Sequence, residues 1–207
     1  MHFWRKDCFE LLKVAASEAK AVPVWMDYAG FCASLERGLR KTALVKLTDF
    51  ITVLERSPFE ERKRFTGWLS HLADQHSCRH MLVPHPLQLR VIEPTLLEWT
   101  MVEPSNFEPH LWIGGYEHLR QALELAPEHQ AVRRKLIISI LSRVSNNAHE
   151  LPIGYLGAPQ EDLSALAEAE AFLSGLSDVE NRSAYGLEIK EIRDSINEYV
   201  RRRQTPI

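Results

Sequence analysis

Apolar residues return every three or four positions along almost the whole of this chain. That spacing keeps them on one face of a helix and suits no strand. A first helix is expected from His2 to about Lys20, with Trp4, Cys8, Leu11 or Leu12, and Ala15 or Ala16 inward. A second, from Val24, carries Trp25, Tyr28, Cys32, Leu35 and Leu39, with Gly38 set to break or bend it. A third turns Leu44, Leu47, Phe50 or Ile51, and Leu54 inward. Ser57-Pro58-Phe59-Glu60 reads as a start signal: a capping hydroxyl, a Pro at the first helical position and an acid to close the box. The fourth helix then runs to about Gln75 and buries Phe65, Trp68 or Leu69, and Leu72.

The stretch Ser77–Pro86 has no period and reads as a linker or crossover, although Met81-Leu82-Val83 suits packing down. A short helix opens at Pro94 with Leu96 or Leu97, Trp99 or Thr100, and Met101 inward. Beyond Val144, the Asn, Gly and Pro residues up to Pro159 mark a loop. A helix restarts near Gln160 with Leu163, Leu166, Ala167 or Ala169, Leu173 and Leu176 inward. The last helix, Ser183 to about Arg203, carries Leu187, Ile189, Ile192, Ile196 and Tyr199 or Val200.

The centre of the chain is a helical hairpin. Gly114-Gly115 breaks the pattern, and Leu119, Ala122, Leu123 and Ala126 follow at helical steps. Pro127 cannot continue that helix and suits the first turn of the next. There Val132, Leu136, Ile140 and Val144 form one row, Ile137 and Leu141 lie beside it, and Ile138 points away. So wide an apolar surface calls for neighbours on more than one side. Gly115-Tyr116, Ala122–Pro127 and Ala131 give residues 115–145 their character, and this stretch resembles a tetratricopeptide repeat: the second helix of one repeat and the first of the next. The resemblance implies a partly solenoid-like second half and a protein-binding scaffold. Trp112 and Gly114 stand closer together than the family pattern has them, and no second copy follows at a period near 34.

With 207 residues, of which 45% are hydrophobic, a full core is within reach, and a single domain over 1–207 is expected, with 77–86 as the place for a subdivision. Net charge is −3 with both signs interspersed, which leaves no footprint for nucleic acid or an anionic membrane. No apolar run approaches the length of a membrane span. The N-terminus lacks the layout of a secretory signal. Cys8, Cys32 and Cys78, odd in number and scattered, read as free thiols in a reducing compartment, so a cytoplasmic protein is expected.

Four segments bear chemistry worth weighing. Asp74, His76, Cys78, His80 and His85 are metal-ligand types, but His-x-Cys-x-His lacks the spacing that wraps a tetrahedral ion. Asn146, Asn147, His149 and Glu150, with Tyr155 near, contain an acid–base pair without a nucleophile; neighbours on a helix point apart, so His149 and Glu150 meet only where the helix has ended. Loop 151–159 and the aromatic stretch 107–116 are of the kind that binds partners, and Trp112 and Tyr116 are rigid anchors. Arg133, Arg134 and Lys135, with Arg120 one helix away, are cations able to hold acidic peptide groups.

The expectation is an all-α fold of eight or nine helices in antiparallel pairs. It is read as a non-catalytic interaction module of the adaptor, regulator or inhibitor type, binding a protein or peptide through Trp112, Tyr116, Arg120, Arg133 and Arg134. No cofactor, metal or catalytic residue is assigned, and a homo-oligomer is a further form the partner can take. The competing reading is a small enzyme or metal-binding protein using 74–85 or 146–155.

Overall fold

The computed structural model describes residues 6–76 and 78–204; Trp4 and Ser77 lie outside them. The fold is all-α: nine helices have seven residues or more, and no strand occurs among the described residues. No helix is long and apolar enough to cross a membrane. The chain divides into two compact units, Met1–Pro104 and Ser105–Ile207. The division follows Pro104, while segment 77–86 belongs to the first unit.

In the first unit, α1 (Lys6–Lys20), α2 (Met26–Glu36) and α3 (Arg40–Glu55) pack in sequence, and α4 (Phe59–Asp74) packs on α7 (Glu93–Val102). Between them lie α5 (Arg79–Leu82), α6 (His85–Leu87) and a π-turn, Gln88–Ile92, that runs straight into α7. The core is aromatic. Tyr28 sits amid Phe31, Phe50, Phe65 and Trp68, with ring centroids 5.0–5.8 Å away. Its hydroxyl donates to the Leu82 carbonyl at 2.8 Å, which ties the 78–86 stretch down. Burial pushes the Tyr28 phenol well above its ordinary range.

Several expectations are corrected here. Cys8 and Cys78 are joined by a disulfide across a sequence separation of 70; only Cys32 is a free thiol, and burial pushes it up to about 12. Scattered positions had suggested three free thiols, but α5 packs on α1 and brings two of them together. Leu39 and Leu44 are 45% and 47% exposed, because α2 stops at Glu36 and α3 turns Ala43 inward instead. Ser57 does not cap α4: its hydroxyl donates back to the Val53 carbonyl at the end of α3, and Pro58 takes the cap position. Met101 is 74% exposed, with Leu96 and Trp99 filling the face it was expected to share.

The second unit is built on α10 (Gln130–Ala148), which has neighbours on two sides. One side meets α8 (Glu108–Ile113) and α9 (Tyr116–Leu125), where Val132 and Leu136 join Leu111, Leu119 and Ala122. The other meets α11 (Pro159–Leu173) and α12 (Val179–Gln204), where Ile137, Ile140, Leu141 and Val144 pack with Leu166, Ala169, Ile189 and Ile196. Tyr116 and Phe172 touch both clusters. The two-sided surface read from the sequence is thus filled, and Ile138 is 41% exposed, as its angle required. Two boundaries shift. Pro127 lies in the turn before α10, whose cap is His129, and Asn146-Asn147 are helical because α10 runs on to Ala148. Leu187 is 59% exposed, since α12 turns Ile189 and Ile196 inward.

Candidate interaction site

Gly114 and Gly115 both adopt φ of 73°, a region closed to most side chains, and this pair swings the chain from α8 into α9. The turn sets Tyr116 and Arg120 on one face of α9, four residues and one helical turn apart. Both reach Glu168 of α11. The Tyr116 hydroxyl donates to one carboxylate oxygen at 2.6 Å, and Arg120 pairs with the other. That hydrogen bond, ahead of burial, raises the Tyr116 phenol above its ordinary range. Glu168 was not singled out in the sequence. Its signal was a carboxylate inside the Ala-rich run Ala165–Ala171, where a close approach leaves little room for an unpaired charge.

Trp112, on α8, is half-buried against the α8–α9–α10 cluster, and the Lys135 ammonium stands 4.7 Å over its ring. A cation over an indole face is held by the ring quadrupole. Arg133 turns the other way. It donates to the Pro127 carbonyl and lies across Gly175, with its Nε buried and unpartnered. Gln130 completes that join: its amide donates to the Gly175 carbonyl at 3.1 Å and accepts from the Ser177 backbone at 2.8 Å. Arg134 acts on Asp178, whose carboxyl is held below its ordinary range first by the Asn181 N–H groups and in smaller part by Arg134. The five residues chosen from sequence therefore separate. Tyr116 and Arg120 converge on Glu168, Arg133 and Arg134 go to the turn between α11 and α12, and Trp112 stands with Lys135.

Two histidines, one on α8 and one on α9, form a pair the sequence did not announce. His110 and His118 meet Nδ1 to Nδ1 at 3.0 Å, so one ring donates and the other accepts. Burial, then His118, lowers the His110 pKa from its ordinary value. His129 accepts from the Val132 amide as the α10 cap, and its ring stands 4.5 Å from Phe107.

In the 74–85 segment Cys78 is spent in the disulfide. Among the described residues no three His, Cys, Asp or Glu side chains come together as a metal site. His149 follows the end of α10, donates through Nδ1–H to the Asn146 carbonyl, and pairs with Glu150 at 2.9 Å; both side chains are more than half exposed. No protein-family model, curated protein or solved structure matches the chain.

Proposed function

We propose that the chain is a non-catalytic interaction module, of the adaptor, regulator or inhibitor type, which holds a protein or peptide beside the α9–α10 hairpin. The observation that carries this is Trp112: a half-buried indole fixed beneath Lys135 at the edge of a packed hairpin. A rigid aromatic with a cation over it binds at little cost in ordering, the usual character of an interface hot spot. In this reading Trp112 and Lys135 meet the partner, and Tyr116, Arg120, Arg133 and Arg134 fix the scaffold behind them. The resemblance of 115–145 to a tetratricopeptide hairpin supports the same class of function.

The test is capture by wild-type and Trp112→Ala protein from the native cell, with mass spectrometry and a melting curve for both. A partner lost on substitution while the fold persists supports the reading. Unchanged stability with unchanged capture removes Trp112 from it. Light scattering across a concentration series decides whether the partner is a second copy. A cytoplasmic location, expected from three free thiols, loses that ground with the Cys8–Cys78 bond and stays in the proposal as the part to be tested. It is tested by alkylating thiols at lysis, since a Cys8–Cys78 bond found intact in cells points to an oxidising compartment.

A further inference from the structure

The short helix α8, six residues long, is joined to α9 by Gly114 and Gly115. A Cβ added at either glycine would meet nothing within 4 Å, so the turn is unpacked and its two glycines are free to pivot. Across that turn His110 Nδ1 meets His118 Nδ1 at 3.0 Å. His110 is 4% exposed, and His118 is half-buried. Elsewhere α8 is held by apolar and aromatic contact. Leu111, Phe107 and Trp112 pack on the cluster that holds Leu119 and Leu136. The Phe107 ring stands against His129, and the Trp112 ring lies beneath Lys135.

The histidine bond tolerates one added proton but not two. In the neutral pair one Nδ1 carries hydrogen and the other accepts it. A first proton goes to Nε2 of the donor ring, and the bond becomes charge-assisted. A second has to go to the accepting Nδ1. It removes the acceptor and leaves two imidazolium rings with their nitrogens 3.0 Å apart. Like charges at that distance repel, and the burial of His110 denies them water. The charged groups around the turn are engaged elsewhere. Glu108 and Glu117 are exposed, Tyr116 and Arg120 are joined to Glu168, Lys135 lies over Trp112, and His129 caps α10. Among the described residues, burial and then His118 bear on His110, and both disfavour its charged ring.

We propose that the His110–His118 bond is an acid-sensitive latch. When both rings carry a second proton the bond opens, α8 turns away about Gly114 and Gly115, and Phe107 and Trp112 leave the hairpin. Bringing His110 to water relieves the buried charge. Where Trp112 holds a partner, as proposed above, the same protons govern that partner's release. The latch itself needs no partner and its test uses none, so the two readings fail separately.

The test is hydrogen exchange of the full chain by mass spectrometry at about pH 7.5 and about pH 5, corrected for the intrinsic rate. An opening that takes up one extra proton gains up to about tenfold per pH unit. Exchange over 107–113 should therefore rise about tenfold or more in acid, with 136–144 unchanged. A Gln side chain bonds to histidine as donor or acceptor, so His110→Gln and His118→Gln should each lose the rise. Melting curves at neutral pH establish that the variants are folded. His129→Asn, which keeps a capping acceptor, should retain the rise. A nitrogen-15 titration of the wild-type imidazoles needs no variant: the second protonation of the pair should coincide with the rise. No rise in wild type, or a rise kept in folded His110→Gln, would overturn the proposal. So would a rise lost in folded His129→Asn, an equal rise over 136–144, or a pair that takes its second proton with no change over 107–113.

Discussion

Replacing Asp162 by Ala removes the acceptor that holds the 149–158 loop to α11. The carboxylate is 3% exposed and takes two side-chain hydrogen bonds, from Tyr155 at 2.7 Å and Asn147 at 2.8 Å, with Arg143 at 3.8 Å. Hydrogen bonds to a buried charge contribute about 1.5–3 kcal/mol each, and donors left without a partner add their own desolvation cost. Tyr155 is only half-buried, so water replaces part of what it loses. The expected loss is about 2–4 kcal/mol in urea unfolding followed by circular dichroism. Tyr155→Phe breaks one of the two bonds and should cost about 1 kcal/mol. Because the two positions share that bond, the double variant should lose measurably less than the sum of the singles. Burial, with the Asp162 bond second, holds the Tyr155 phenol well above its ordinary range. A raised phenol pKa contributes stability that is complete below its unfolded value and is lost as pH rises beyond it, so wild type should weaken in alkali. Asp162→Ala should lower the Tyr155 pKa in an ultraviolet titration. A loss within about 0.5 kcal/mol of wild type, or strict additivity with Tyr155→Phe, would refute the reasoning.

Reducing the Cys8–Cys78 bond, or replacing both cysteines by Ala, should destabilise the first unit by up to about 4 kcal/mol, from closing a loop of 70 residues in the unfolded chain. Calorimetry with and without reductant reads it. His110 has a lowered pKa, so its contribution is present above the ordinary value of 6.5 and is lost as pH falls below it. The urea midpoint should therefore drop on acidification from neutral pH, with a shallower drop in His110→Gln. Leu136→Ala should cost about 2–5 kcal/mol, because the side chain is wholly buried between α8, α9 and α10. Leu44→Ala, at a position 47% exposed, should stay within about 0.5 kcal/mol of wild type in the same assay.

Periodicity carried the helices because burial on one face of a helix leaves a mark every three or four residues. It fixed the two-sided use of α10 through Val132, Leu136, Ile137, Ile140, Leu141 and Val144. It was weaker where two adjacent apolar residues compete for one place. Ala43 won over Leu44, and Leu187, expected inward together with Ile189, stayed out, because helix ends and crossings choose the register, and these depend on distant neighbours. Ser57 misled for a related reason: a hydroxyl between two helices serves either one, and here it bonds to Val53 behind it. The disulfide and the Tyr116–Arg120–Glu168 node join residues 48 to 70 positions apart. No local pattern in the chain records such pairings. Trp112 was legible as an aromatic in a breaker-rich stretch, but its cation, Lys135, lay a helix away.

The central physical claim is that α10 is the spine of the second unit, packed on two sides at once. Hydrogen exchange followed by mass spectrometry tests it most directly. Amides over Leu136–Val144 are expected to be the slowest to exchange between residues 105 and 204, slower than those at either end of α12. Exchange in Leu136–Val144 as fast as at the exposed end of α12 would contradict it.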